Sequence, residues 1–206
     1  MTTTAPFRWW FLFSFVAGLA LLASFWFDPS AQAWIAQHQN AEMKDFMRRV
    51  SRCGDWPAHL ILGITFLTLG YWRKNQRWMR IVVAMILAFA LAGVTTRVIK
   101  ISAGRARPDI QAEAGWSGPR FSSRYNAFPS GHTATSTAFF ATLAFASWQI
   151  GLGFLVVPLL IAFSRMYVGA HYLSDVVAGA LVGIVTAYVV VRWVPIIRDP
   201  QLETQS

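Results

Sequence analysis

The stretch "SRMYVGAHYLSDVVAGALVG", residues 164–183, changes from polar to apolar within a few positions. The apolar run continues to about residue 194, and a helix of about 20 such residues is long enough to cross a bilayer. His171 and Asp175 stand at the start of the run, four residues apart, which on a helix places both on one side. The stretch therefore predicts a membrane-spanning helix that carries a histidine–aspartate pair at one end.

The composition extends this prediction to the whole chain. Of 206 residues, 55% are hydrophobic and only 13% are charged, which favours a multi-spanning, all-α membrane protein over a soluble one. We find no repeat or linker, so 1–206 is predicted to be a single membrane-embedded domain. The net charge is +9, but no separate basic tract is present, which argues against nucleic-acid binding. The single Cys53 excludes an intrachain disulfide and a cysteine-based metal cluster.

Six apolar segments are candidates for membrane spans, and the second is the shortest. The first segment has an alternative interpretation as a secretory signal, because Ala31-x-Ala33 follows it, although its apolar run is long and aromatic for a signal. The candidates are approximately 7–27, 57–72, 80–101, 131–148, 151–168 and 172–194.

Loop charges predict the orientation. The connection "RKNQRWMR", residues 73–80, contains four cations and no anion, and the positive-inside rule places such a loop in the cytoplasm. Both termini are then cytoplasmic, and the loop at 102–128 lies on the periplasmic or extracellular side. We expect the membrane to be the bacterial inner membrane.

The segment between the first two spans has two interpretations. From Asp28 to Asp55, apolar residues recur at mixed helical spacings among polar ones. This pattern is typical of a short amphipathic helix on the outer membrane surface, and a solvated helical hairpin fits it equally well.

The polar end of the last span has the elements of a catalytic pair. An aspartate that holds one ring nitrogen fixes the tautomer of a histidine and leaves the other nitrogen with a lone pair. His171 and Asp175 fit this arrangement, although a helix-end histidine satisfied by Asp175 is the simpler alternative. Gly179 and Gly183 continue on the same face, so we expect this span to pack closely against a neighbour.

A second polar cluster, "PSGH" at 129–132, opens the fourth span. Ser130 is a good N-cap residue, and Gly131 allows a ligand to approach the first free backbone N–H groups. A helix N-terminus of this kind binds anions, with His132 beside it. An ordinary helix cap is the alternative.

The third cluster is "KISAGRARP", residues 100–108. Gly104 is expected to end the helix, which lets Arg107 fold back toward Lys100. Lysine supplies a point charge and arginine a planar fork that suits phosphate oxygens, and Arg165 adds a third cation. A basic patch that grips lipid headgroups is the alternative.

Considered together, the clusters have the composition of a phosphoryl-transfer site. Cations and a helix N-terminus neutralise phosphate oxygens, one histidine attacks and a second supplies a proton. The cations supply the positive charge, and no dense carboxylate cluster is present, so we expect no metal and no cofactor.

The order of these motifs resembles that of the type-2 phosphatidic acid phosphatase family. Its signatures K-x6-R-P, P-S-G-H and S-R-x5-H-x3-D match Lys100 to Pro108, Pro129 to His132 and Ser164 to Asp175, within a motif-bearing core at about 57–194. The resemblance implies a six-helix transmembrane bundle with its site at the non-cytoplasmic face. The family also includes soluble vanadium-dependent haloperoxidases, but the apolar spans argue against that branch.

The resemblance also implies a role for each residue. His171 would form a phosphohistidine with its tautomer fixed by Asp175, and His132 would protonate the leaving oxygen and then activate water. The phosphate would be bound by Lys100, Arg107, Arg165, Ser130 and Gly131. Three further cations outside the motifs could contact a headgroup or simply pair with Asp109 or Glu113; they are Arg97, Arg120 and Arg124.

Three functions follow as hypotheses. The first is a lipid phosphatase that acts at the outer leaflet, on undecaprenyl diphosphate, phosphatidylglycerol phosphate, phosphatidic acid or the 1-phosphate of lipid A. The second is a phosphotransferase that passes phosphate from a prenyl diphosphate to another lipid. The third is a non-enzymatic anion channel or transporter, which would place its cations through the membrane depth rather than at one face. The sequence does not indicate an oligomeric state.

Overall fold

The computed structural model describes residues 7–110 and 115–193, which are almost entirely helical. The α-helices of these residues are α1 (Phe7–His38), α2 (Ala41–Arg52), α3 (Trp56–Trp72), α4 (Gln76–Ala103), α5 (Gly131–Ala146), α6 (Trp148–Phe154), α7 (Val156–Tyr167) and α8 (Leu173–Trp193). A short 3-10 helix, Ser123–Tyr125, lies in the loop between α4 and α5. The all-α class predicted from the sequence is confirmed.

Four stretches of the described chain are long and apolar enough to cross a membrane. They are Arg8–His38, Gln76–Ala103, Trp148–Tyr167 and Leu173–Arg192, and the third comprises α6 and α7. The two other predicted spans correspond to α3, with 17 residues, and α5, with 16. Both helices are apolar but short, so the predicted count of six spans stays a prediction.

The end of α1 differs from the predicted boundary near residue 27. The helix continues through Asp28 and Pro29 to His38, so Trp34 and Ile35 belong to α1 and not to a separate surface helix. Asp-Pro usually suggests a helix boundary, but the Asp28 carboxylate is buried against α8 and does not cap a new helix. The helix that follows, α2, is shorter than the segment 28–55, with Met47 and Ser51 buried and Met43 and Phe46 exposed.

Helix α5 lies at the centre of the bundle, and its side chains from Thr133 to Leu143 are all buried. It packs against α4 and α8 through small residues, which let the backbones approach closely. A β-carbon at Gly179 would lie 2.6 Å from the Ser130 carbonyl oxygen, and one at Gly183 would lie 2.6 Å from that of Ala134. The predicted close packing through Gly179 and Gly183 is therefore confirmed, with α5 as the neighbour.

The loop between α4 and α5 folds back over the helix ends. Gly104 has a left-handed backbone (φ 60°) and ends α4, as predicted from the sequence. Two backbone bonds then fix the return of the chain, from Arg107 N–H to the Arg124 carbonyl (3.1 Å) and from Ala127 N–H to the Arg105 carbonyl (3.0 Å). These bonds bring the K-x6-R-P stretch and the start of α5 together.

Candidate active site

His171 and Asp175 form a buried pair where α8 begins. His171 lies in the turn before α8 and is 2% exposed, and Asp175 in the first turn of α8 is fully buried. His171 Nδ1 lies 3.4 Å from Asp175 Oδ2, and the same oxygen accepts a bond from Tyr172 N–H (2.9 Å). Burial lowers the pKa of His171 to about 3, although the Asp175 carboxylate acts in the opposite direction. The imidazole is therefore neutral at physiological pH.

A network that the sequence did not reveal holds the other oxygen of Asp175. Arg105 donates from Nη1 to Asp175 Oδ1 (2.5 Å) and to Ser174 Oγ (2.6 Å), and from Nη2 to Asp28 Oδ2 (2.7 Å). Asp28 also accepts from Ser174 N–H (2.8 Å) and Ser174 Oγ (2.5 Å). The guanidinium of Arg105 lies over Tyr172, 4.1 Å from the ring centroid. One arginine thus joins α1 to the start of α8 and restrains Asp175.

One feature of the sequence could have indicated this network. Asp28 is a lone carboxylate next to an apolar segment, and a buried charge of this kind needs a partner. Arg105 lies in the variable part of the K-x6-R-P motif, where nothing marks it as that partner.

The start of α5 adjoins this pair directly. Ser130 is the N-cap residue, as predicted, and it is completely buried, but its side chain makes no capping bond. Its hydroxyl instead accepts a bond from Thr133 Oγ1 (3.0 Å), and its N–H donates to the Asp175 carbonyl (2.8 Å). Gly131 lies against Lys100, because a β-carbon there would be 3.5 Å from Lys100 Cε. The first N–H groups of α5 have no acceptor within the helix and can bind an anion.

His132, the second residue of α5, also has a carboxylate partner that the sequence did not reveal. Its Nε2 lies 2.6 Å from Asp55 Oδ1. Asp55 is the N-cap residue of α3, directly before Trp56-Pro57. The two residues are 77 positions apart in the chain, so no local spacing relates them.

Three cations converge on the two histidines. Lys100 and Arg165 both interact electrostatically with His132 and with His171. Arg107 in turn interacts with Lys100 and Arg165. Lys100 Nζ donates to the Asn126 carbonyl (2.7 Å), and Arg165 Nη1 donates to Ser51 Oγ (2.6 Å). The structure therefore brings together all eight residues predicted for catalysis and phosphate binding.

The three additional arginines have different surroundings. Arg97 lies one turn before Lys100 on α4 and interacts electrostatically with it. Arg120 lies over Tyr125, 4.6 Å from the ring centroid, and Arg124 is exposed. In the described parts of the chain none of the three forms an ion pair, with Asp109 or any other carboxylate; Glu113 lies outside the described residues.

A cavity of about 620 Å³ extends from His132 along α4. Its polar end is lined by Lys100, Arg97, His132 and Asp55, and its other end by apolar residues such as Phe89. The eleven helical steps from Phe89 to Lys100 span about 16 Å. One elongated cavity thus connects the charged cluster with the apolar depth of the bundle. Within residues 7–110 and 115–193, no three His, Cys, Asp or Glu side chains are grouped to hold a metal ion.

Comparison with known proteins relates this arrangement to phosphatases. The model of the PAP2 superfamily matches residues 81–199. A lipid A 1-phosphatase of Rhizobium johnstonii is 36% identical over 102 residues, which represent 48% of this chain and 42% of that protein. A decaprenylphosphoryl-5-phosphoribose phosphatase of Mycolicibacterium smegmatis is 31% identical over 132 residues, 64% of this chain and 68% of that protein. The chain thus spans about two fifths of the length of the Rhizobium relative.

The fold is also found in solved structures. The crystal structure of Aquifex aeolicus LpxE superimposes with a TM-score of 0.64 at 24% identity. The superposition covers 81% of this chain and 95% of that one, so the helical architecture is shared over nearly the whole of the Aquifex protein.

Proposed function

Because the chain belongs to the PAP2 superfamily, we propose that it is an integral membrane lipid phosphatase that removes a terminal phosphate from a lipid phosphate or diphosphate. The site has the composition that phosphoryl transfer requires: two histidines, each with a carboxylate partner, and several cations beside them. The cavity along α4 supplies an apolar route next to that charge.

Two buried guanidinium nitrogen atoms are the main support for the proposal. The Nε atoms of Arg107 and Arg165 are buried, and neither has a hydrogen-bond partner among the described residues. Leaving a buried donor unsatisfied costs about 1–3 kcal/mol, more for a charged group, so a protein that keeps two has a use for them. Both donors belong to the cationic cluster beside His132 and His171, where a phosphate would accept from them.

The first half of the proposed reaction forms a phosphohistidine. Nε2 of neutral His171 attacks phosphorus while Asp175 holds Nδ1–H. The bond between phosphorus and the lipid oxygen breaks, and protonated His132 gives its proton to that oxygen. Lys100, Arg107, Arg165 and the first N–H groups of α5, with Ser130 and Gly131, stabilise the phosphate oxygens.

The second half releases phosphate. Now neutral, His132 takes a proton from a water molecule, the water oxygen attacks phosphorus, and the bond from phosphorus to His171 breaks. Inorganic phosphate leaves, and both histidines return to their starting states. Each proton and bond is accounted for without a metal or another cofactor.

The lipid chain is proposed to lie in the cavity beside α4. The phosphate would be held between Lys100 and His132, and the chain would follow the apolar wall past Gly93 toward Phe89. Arg97 lines the same cavity and is the best placed of the three additional arginines to contact a headgroup or a second phosphate. Arg120 and Arg124 are proposed to act nearer the outer surface.

The proposed arrangement in the membrane has six spans, with α3 and α5 as the short ones and α6–α7 acting as one. Both termini lie in the cytoplasm and the site faces the periplasm, with α2 along the outer surface of a bacterial inner membrane. The loop at 73–80, with four cations, supports this orientation.

Phosphate release from a panel of lipids tests the proposal. The purified protein in detergent is given lipid A 1-phosphate, undecaprenyl diphosphate, phosphatidylglycerol phosphate and phosphatidic acid, each with and without a chelator. We expect inorganic phosphate from at least one lipid without an added acceptor, and no effect of the chelator. Release that requires a lipid acceptor would assign the chain to the phosphotransferases instead. Loss of activity with the chelator would overturn the metal-independent mechanism.

A further inference from the structure

The turn between α2 and α3 contributes a group to the site that none of the three motifs includes. Asp55 Oδ1 lies 2.6 Å from His132 Nε2, a distance typical of a charge-assisted hydrogen bond. The turn also precedes residues 81–199, the part of the chain that the family model matches. The partner of His132 therefore comes from a region in which the family resemblance assigns no role.

The turn is packed firmly enough to hold Asp55 in place. A β-carbon at Gly54 would lie 2.8 Å from Ile161 Cγ2 and 3.1 Å from His132 Cδ2, so the glycine lets the turn pack closely against the imidazole. The Asp55 carbonyl oxygen lies 3.2 Å from Nδ1 of the buried His59. Ser51, one turn earlier, accepts a bond from Arg165. The end of α2 and the turn that follows it thus contact a cation and a histidine of the site.

The charged residues around His132 explain why the Asp55 carboxylate matters for the protonation of the imidazole. The ring is influenced by Arg165 from α7, by Lys100 from α4 and by Asp55 from the α2–α3 turn. Burial and the two cations disfavour a protonated imidazole, and Asp55 is the carboxylate that favours it. A residue that must donate a proton to a leaving oxygen needs such a partner.

The two histidines are held through opposite nitrogens. Asp175 contacts Nδ1 of His171, which leaves Nε2 free, whereas Asp55 contacts Nε2 of His132, which leaves Nδ1 free. With Nε2–H bonded to Asp55, the proton that moves is the one on Nδ1.

We propose that Asp55 is a positioning residue for His132: its carboxylate accepts Nε2–H and favours the protonated ring, so that Nδ1 donates to the leaving lipid oxygen. The inference rests on the proposed phosphatase function. Asp55 acts through His132 and does not itself contact the phosphate, so its effect appears in the proton-transfer step and not in phosphate binding.

The test compares Asp55→Asn with wild type on two substrates and across pH. On an alkyl phosphate, whose leaving oxygen needs a proton, we expect kcat/KM to fall by about 30-fold, less than the roughly 100-fold or more for a lost general acid, because His132 itself remains. On p-nitrophenyl phosphate, whose leaving group needs little help, the loss should be less than about 3-fold. The alkaline limb of the pH profile should move about one unit toward lower pH, because the charge that stabilises the imidazolium is gone.

Two control variants separate this role from a structural one. Asp45→Asn removes an exposed carboxylate of α2, paired with Arg48, and should leave both rates and the pH limb unchanged. Asp55→Glu restores the carboxylate and should recover part of the alkyl phosphate rate. If Asp55→Asn does not fold, Asp55→Glu replaces it in the test. A carboxylate moved by one methylene shifts the alkaline limb of the pH profile only if it acts on His132.

The outcomes are distinct. Equal losses on both substrates with an unshifted limb would overturn the inference, and so would wild-type behaviour of Asp55→Asn, while the phosphatase function would stand. A wild-type protein that releases no phosphate from either substrate or from the lipid panel would overturn the proposed function and this inference together.

Discussion

The two histidine–carboxylate pairs of this protein differ in almost every physical respect. His171 and Asp175 are completely enclosed and four residues apart, and Arg105 holds the carboxylate from its other side. His132 and Asp55 are 77 residues apart, and their side chains are 28% and 47% exposed. Burial favours a neutral imidazole, whereas a carboxylate partner in a more hydrated place favours a protonated one. The contrast suits an attacking histidine and a proton-donating histidine, and four experiments can break or sharpen it.

The largest effect is expected when the enclosed pair loses its histidine. His171→Ala removes the proposed nucleophile, so phosphate release should fall by at least about 1,000-fold, as expected for a lost covalent step. His38→Ala is the matched control, because His38 lies at the exposed end of α1 and its ring contacts Trp34 in the preceding helical turn. The test measures phosphate release by both variants, and gel filtration checks that both are folded. More than a tenth of wild-type activity in His171→Ala would exclude it as the nucleophile.

The network behind the enclosed pair should matter next. Asp28→Asn leaves Arg105 with one carboxylate and places an amide against Ser174, and breaking a buried charge pair costs about 3 kcal/mol. We expect a lower melting temperature in detergent, together with reduced activity because Asp175 is less restrained. Asp45→Asn breaks an exposed ion pair and should cost less than about 1 kcal/mol. Equal stability losses in the two variants would show that the buried network contributes no more than a surface contact.

Because of the enclosed pair, the folded protein should lose stability at acid pH. The folded-state pKa of His171 is lowered by burial from 6.5 to about 3, so between these values the unfolded chain binds a proton that the folded chain does not. Stability must then fall as the pH falls through this window, by about 2 kcal/mol between pH 7.5 and 5. The neutral nucleophile also persists in this range, so the acid limb of activity should lie well below 6.5.

Thermal unfolding in detergent at several pH values measures this contribution. His171→Asn removes the titrating ring, and the stability of that variant should depend less on pH than that of wild type. A parallel pH dependence in the two proteins would contradict the burial of a neutral imidazole.

The same contrast explains what the sequence could predict. His171 and Asp175 were predictable as a pair because they are four residues apart in the chain, although His171 lies in the turn before α8 and only Asp175 lies on the helix. The convergence of Lys100, Arg107 and Arg165 followed from motifs at the ends of apolar segments. The partners of Asp55 and Asp28 were not predictable, because each carboxylate meets its partner only through the packing of distant parts of the chain. The continuation of α1 past Asp28 also depends on such a partner, since burial against Ser174 and Arg105 favours a helix where Asp-Pro suggested an end.

The smallest effect is expected at the backbone contact that joins the two pairs. Ser130 N–H donates to the Asp175 carbonyl (2.8 Å), and Ser130 begins the helix that carries His132. In Gly179→Ala the added methyl group would lie 2.6 Å from the Ser130 carbonyl oxygen, so α5 must move away from α8 at a cost of about 1 kcal/mol. Each histidine keeps its own carboxylate, so kcat should fall about 5-fold while both pH limbs stay in place. Gly18→Ala, which has no atom within 4 Å of the new carbon, should behave as wild type. A shifted limb in Gly179→Ala would mean that the two pairs are not independent, because the distance between them would then set their protonation as well as their alignment.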